Sequence, residues 1–300
     1  KLKVSPVQIL FTIAMSSNLQ GTATLVGDPP SMIFAGFTGL NFNDFFFYNG
    51  KPSIFFIVET GAIASCIFIY FLFRKYKRKE IIEKVVTPTS YVPLFLLIFM
   101  ITGLVSISFF EKGFSIKSGI ICISLGIIGL IWYTFFHKGN PKEAYEILKR
   151  IDWETVFFLT GVFIVVGSIS KVGILEDISK LFVTAFGNNV LASFLAITFM
   201  SMLLSGFIDN VPYIALMLPV VKTIATFLGT NEFLLYSGLL VGSCLGGNIT
   251  PFGASANIVA VGILKKEGYD TKFFDFVKIG LPFTVLATLA AASLAWIIWH

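Results

Sequence analysis

Charge is what this sequence has least of: Asp, Glu, Lys and Arg together make up 13% of its 300 residues, against 56% hydrophobic residues and a mean hydropathy of +0.86. That balance excludes an ordinary soluble globular domain and makes lipid the solvent for most of the chain. Histidine is almost missing, with only His137 in a basic segment and His300 at the end, so no His-Glu-x-x-His zinc protease site exists. Cysteine is equally sparse. Cys66, Cys122 and Cys244 all sit inside apolar runs without paired spacing, which excludes a disulfide framework and a thiolate metal centre. No Gly-x-x-x-x-Gly-Lys-Ser/Thr loop occurs to cradle a nucleotide phosphate, so nothing here resembles an ATP-driven pump. The formal net charge of +5 does not indicate nucleic acid, because the basic residues cluster beside apolar blocks, where membrane orientation accounts for them.

Apolar blocks long enough to cross a hydrocarbon core are plentiful: Ser53 to Phe73, Tyr91 to Phe110, Ile116 to Phe136 and Val277 to Trp299. The two most basic segments, residues 74–79 and 137–150, are separated by two such blocks, and the positive-inside rule puts both in the cytoplasm. Residues 111–117, 41–52 and 171–189 are then external. Lys265 and Lys266 become cytoplasmic only if Asn189 to Gly229 enters and leaves on one face, which predicts a re-entrant hairpin around Asp209.

Two segments align without a gap, Gly21 to Ile33 against Gly247 to Val259, with three identities in thirteen positions. Both interrupt apolar runs with Gly, Thr, Asn and Pro, and the charge pattern runs them in opposite directions through the membrane. Backbone at membrane depth stays unwound only where protein, water or a bound solute satisfies it. An inverted repeat of discontinuous helices is the architecture of many secondary transporters, with the binding site near the midplane. The predicted fold is therefore an all-α integral membrane protein with two discontinuous helices and a re-entrant hairpin.

The chemistry concentrates at those interruptions. In the first, Gly21 and Gly27 permit a tight unwound stretch, and Ser17, Asn18, Thr22 and Thr24 offer neutral oxygens. Asp28 reads both as an N-cap with Pro29 opening the next half-helix and as a direct ion ligand. The second break holds Gly247, Asn248, Thr250, Ser255 and Asn257 and no carboxylate. Between them lies Ser205-Gly-Phe-Ile-Asp-Asn-Val-Pro212, where Asp209, with Asn210 beside it, is a deeply placed carboxylate and so a candidate for ion coupling as well as a cap. A Na+ ion is expected near Asp209 and Asn248, or a proton in its place, and no other cofactor. Thr24, Asn248 and Asn257 are expected to converge. Lys222 and Glu59 read as interfacial residues.

Asn18-x-x-Gly-Thr-Ala-Thr-Leu-Val-Gly-Asp-Pro-Pro, Phe207-Ile-Asp-Asn-Val-Pro, Gly246-Gly-Asn-x-x-x-x-Gly-Ala-Ser-Ala-Asn and Asp152-Trp-Glu-Thr-Val-Phe-Phe-Leu-Thr-Gly resemble the arsenite and P-protein permease family. That family lies within the Ion Transporter superfamily, which includes citrate-transporter-like domains. The resemblance covers nearly the whole chain. It implies a homodimer in the plasma membrane, working by elevator-like alternating access. It divides the chain into a transport domain (1–40 and 190–265), scaffold spans with basic loops (41–152), a span with an external interfacial segment (153–189) and a final span (266–300). The family also has a hairpin and further spans before its first broken helix, so an N-terminal part is expected to be missing here. The implied substrate is a small anion or metalloid such as arsenite, with Na+/H+ antiport and di- or tricarboxylate transport as alternatives within the superfamily. A passive channel would use the same polar breaks. An aspartyl dyad would need Asp28 and Asp209 to share a proton, which their neighbouring prolines and capping positions oppose.

Overall fold

The computed structural model describes residues 6–74, 90–110, 116–136, 146, 149 and 153–300. The basic segments on which the cytoplasmic assignment rests, and Lys1 and Lys3, fall almost wholly outside these residues. Each long apolar block is one helix: α3 (Ile54–Phe73), α4 (Val92–Phe110), α5 (Ile116–Phe136) and α12 (Phe273–Trp299). Both interrupted runs are pairs of shorter helices, α1 (Pro6–Thr22) with α2 (Pro29–Thr38) and α10 (Glu232–Gly246) with α11 (Ser255–Lys266). At 1.5 Å per residue none of these halves reaches the length of a full span. The Asp209 region joins α8 (Val190–Ser205) to α9 (Asn210–Leu228), and α6 (Trp153–Lys171) meets α7 (Ile174–Phe186) at a 71° bend. Among the described residues five helices are long and apolar enough to cross a membrane, or six if the bent pair counts as one span.

Helix α10 is the axis of the molecule. Every residue from Phe233 to Gly246 is buried, as expected of a helix apolar all round. Its Gly238, Gly242 and Gly246, one turn apart, let α8 lie against it backbone to backbone: a Cβ on Gly246 would overlap the Met202 carbonyl oxygen, and one on Gly242 that of Thr198. Lipid removes the hydrophobic drive for helix association, so close approach through small residues supplies the attraction. The same device joins α3 to α12, where a Cβ on Gly61 would sit 2.7 Å from the Ala287 carbonyl oxygen and Ala291 and Ala295 are buried alongside. Helix α3, which sequence groups with the scaffold spans, thus packs on α12 and on α1. Helices α4 and α5 lie mainly against each other and turn Phe99, Phe109, Ile123 and similar side chains outward.

Between α2 and α3 the chain makes a 3₁₀ turn (Asn43–Phe45) and a minimal hairpin, β1 (Phe47–Tyr48) with β2 (Lys51–Pro52). Asn49 and Gly50 both take positive φ there, the pairing that a tight two-residue hairpin demands. Helix α7 buries Leu175 and Ser179 and exposes Glu176, Asp177 and Lys180, the amphipathic pattern of a helix lying along an interface.

Candidate functional site at the helix breaks

The matched glycines do the same work in both breaks. In the first, a Cβ on Gly27 would overlap the Gly21 carbonyl oxygen; in the second, a Cβ on Gly253 would lie 2.6 Å from the Gly247 carbonyl oxygen. The unwound backbone therefore folds back on the end of its own helix in each copy, and only glycine fits at the crossing. Ser31 and Asn257, aligned in the repeat, also play corresponding parts: the Ser31 hydroxyl donates to Thr22 O at 3.4 Å, and Asn257 Nδ2 donates to Gly247 O at 2.9 Å and Thr250 O at 3.0 Å.

Three asparagines join the two breaks. Asn248 Nδ2 donates to Met15 O at 3.2 Å and Asn257 Nδ2 to Gly247 O and Thr250 O, so backbone carbonyls fix both carboxamide orientations and leave their Oδ1 atoms facing α1. Asn18 Nδ2 meets those two oxygens at 2.9 and 3.0 Å. Five of the six carboxamide N–H groups of the cluster are thereby spent inside the protein, and the free face of Asn18 is its carbonyl oxygen. Sequence placed Thr24 at this junction. The structure places Asn18 there, because α1 continues to Thr22 and carries Asn18 on the face that packs against α11. Thr24 is half-buried with no recorded side-chain partner among the described residues, and Ser17 is exposed.

The turn between α8 and α9 joins the second break through a residue that the sequence motif contained but whose role it did not disclose. Thr250 Oγ1 donates to Gly206 O, and Gly206 packs against Ile249 and the Gly246 carbonyl. On the opposite side α12 crosses at Gly280, where a Cβ would overlap the Asn248 carbonyl oxygen. Gly206 and Gly280 lie outside the repeat, so no internal comparison could single them out. Asp209 is exposed at the turn between α8 and α9 and caps α9 by accepting from Val211 N at 2.9 Å, while Asn210 is half-exposed; α9 is itself one of the five helices long and apolar enough to cross a membrane.

Asp28 also caps, accepting from Ser31 N at 2.9 Å, with Pro29 as the first helical residue. The two half-helix N-termini consequently differ in chemistry. In α2, Pro29 and Pro30 have no N–H and Ser31 N is taken by the carboxylate, so that end offers an anion nothing. In α11 no side chain caps the end, and the first N–H groups, on Ser255 and Ala256, have no acceptor within the helix. Ser255 is exposed. A cavity of about 310 Å3 lined by Ser16, Gln20, Ser65 and Phe283 opens between α1, α3 and α12. Near it Gln20 Nε2 lies 3.4 Å from the half-exposed Glu59 carboxylate. Lys222 is exposed on α9.

A sequence model described as citrate transporter matches residues 1–237. The chain belongs to the citrate transporter family. An uncharacterized transporter of Mycobacterium bovis is 27% identical over 303 residues, which cover 99% of this chain and 68% of that protein. One of Synechocystis is 28% identical over 319 residues, covering 100% and 70%. Human P protein is 29% identical over 170 residues, covering 54% of this chain and 20% of P protein, in line with the resemblance carried by the break motifs. This citrate transporter family member is a multi-pass membrane protein and a permease by family.

Proposed function

We propose that this permease is a secondary transporter of the plasma membrane, driven by an H+ or Na+ gradient, that carries a small anion by alternating access. The observation that carries the reading is the Asn18, Asn248 and Asn257 junction: two interrupted helices with matching glycine crossings meet through side chains that are polar, uncharged and internally fixed. Such a junction changes geometry when either break moves, which is what alternating access requires of a midplane site. Inverted repeats with an elevator-like movement of one body in a homodimer fit this arrangement.

The uncapped N-terminus of α11 is the anion-facing end, through Ser255 and Ala256 N–H groups and the helix dipole. The outward carbonyl of Asn18 and the carboxylate of Asp209 suit a coupling cation, Na+ or a proton. Di- and tricarboxylates head the substrate classes because the family model is named for citrate; arsenite and other oxyanions are the metalloid alternative suggested by the motifs.

The test is reconstitution of the full-length protein in liposomes, with citrate, arsenite and Na+ fluxes measured under imposed pH and Na+ gradients. Gradient-driven accumulation of an anion, lost when the gradient is collapsed, supports the reading. Asp209→Asn keeps the cap and removes the charge; loss of accumulation with retained exchange assigns coupling to Asp209, and unchanged pH and Na+ dependence leaves it a cap. A channel would conduct without counterflow.

A further inference from the structure

Helix α6 packs on α9 without closing the seam between them. Two cavities lie along that seam, of about 550 Å3 and about 420 Å3, and Val166 lines both. The first is walled by Met32, Gly36 and Phe37 of α2, Phe163 of α6 and Leu218 and Pro219 of α9. The second follows α6 between Phe158 and Ile169, with Pro212 and Leu216 of α9 opposite. Gly36 and Gly161 stand in these walls, and a Cβ on either would meet nothing within 4 Å. Gly61, Gly242 and Gly246 differ, because there a neighbouring backbone occupies the place of the missing side chain.

Among the described residues every side chain lining the two cavities is apolar. A buried water wants about three polar partners, so water does not fill this space and a transported anion is not held in it. Hydrocarbon does fit. A helix is too wide: over the roughly 16 Å of axis between Phe158 and Ile169, a cylinder 10–12 Å across takes up roughly 1,300–1,800 Å3, more than both cavities together. A single acyl chain is less than half as wide. The length agrees as well. Helix α7 lies along an interface and its Ser179 hydroxyl is 3.2 Å from Val220 O, which sets the bend between α6 and α7 at headgroup level beside the Val220 end of α9. From that level a trough of about 16 Å reaches half-way through a hydrocarbon core roughly 30 Å thick, the depth of one leaflet. At the headgroup end, exposed Lys171 finishes α6 and exposed Lys222 stands one turn beyond Leu218. The acidic residues there are Glu176 and Asp177, and Asp177 pairs with Lys180 at 3.8 Å. We propose that the seam between α2, α6 and α9 is a binding site for one chain of an anionic phospholipid, whose phosphate lies at Lys171 and Lys222. The chain stands between α6 and the second half of the first broken helix.

The test is photolabelling of the full-length protein in liposomes with phosphatidylglycerol or phosphatidylcholine carrying a diazirine on one acyl chain, with adducts mapped by mass spectrometry. Phosphatidylglycerol should label residues 32–37 and 161–166 at least fivefold more densely than the outward-facing Phe99 and Ile123, and more densely than phosphatidylcholine does. Gly36→Leu combined with Gly161→Leu fills the trough and should remove that excess, leaving labelling at Phe99 and Ile123 as it was. Lys171→Gln combined with Lys222→Gln leaves the walls intact and should abolish the preference for phosphatidylglycerol at the seam. Seam labelling no denser than at Phe99, an excess that survives the leucines, or a headgroup preference that survives the glutamines overturns the assignment. Seam residues left unlabelled in the full-length protein also overturn it, since that is the outcome if another helix or a second copy covers them.

Discussion

Position 255 in the repeat aligns with position 29, and the residue exchange between them, Ser255 for Pro29, separates an N–H-bearing helix end from one that lacks it. Ser255→Pro should therefore fold, since proline is favoured at the first helical position, yet remove one donor from the anion-facing end. A hydrogen bond to a charged group contributes about 1.5–3 kcal/mol, so the KM for the transported anion should rise roughly tenfold or more. Unchanged KM would place the anion elsewhere. At the other break, Asp28→Ala should lower thermal stability by about 1 kcal/mol through loss of the cap, with Asp28→Asn close to wild type. Outside the membrane, burial pushes the Asp44 carboxyl above its ordinary value, against the Asn41 N–H that holds it down. The folded form thus binds a proton more readily than the unfolded one, and Asp44 costs stability once pH rises through its folded pKa. Asp44→Asn, which can still accept from Asn41 N, should raise the Tm at neutral pH and leave it unchanged at a pH below the ordinary aspartate value.

At the scale of helices, glycine positions divide sharply by what a side chain would meet. A methyl group at Gly27 or Gly246 would run into backbone carbonyls of Gly21 and Met202, which cannot swing aside. Gly27→Ala and Gly246→Ala should each cost about 1–3 kcal/mol or more and reduce the folded yield in detergent. Gly36, mid-way along α2, faces open space, and Gly36→Ala should be neutral or stabilise by up to about 1 kcal/mol. Thermal unfolding of the three variants side by side checks the contrast. This division also marks what the amino-acid string made legible. Three of the four long spans could be read within one residue because an apolar block has only one way to satisfy its backbone in lipid, while α12 begins four residues before its apolar block, at Phe273. The breaks could be read because Gly21, Gly27, Gly247 and Gly253 interrupt such blocks at matched positions. The caps at Asp28 and Asp209 followed from proline and capping chemistry. Partner choice was another matter: Asn18 rather than Thr24 meets Asn248 and Asn257 because of how far α1 extends and which face it turns to α11, a tertiary fact with no local signal. The docking of Gly206 on Thr250 and of Gly280 on Asn248, and the packing of α3 on α12, depend on long-range contacts of the same kind.

At the scale of the whole molecule, two unlike breaks are joined: one half-helix end is capped by Asp28, the other is uncapped, and Asn18, Asn248 and Asn257 tie the two together. By the positive-inside rule, residues 74–90 and 137–152 are expected to face the cytoplasm. Single cysteines introduced at Lys77 or Lys142 in a background lacking Cys66, Cys122 and Cys244 should resist a membrane-impermeant thiol reagent in intact cells and react after permeabilisation; labelling of intact cells would reverse the orientation. The most direct measurement of the central claim is accumulation and counterflow of labelled citrate, with arsenite in parallel, in liposomes holding the full-length protein, compared with Asn18→Ala. The account predicts accumulation that collapses with the imposed ion gradient, counterflow in its absence, and loss of both in Asn18→Ala. Flux that proceeds without counterflow, or that is indifferent to Asn18, would contradict it.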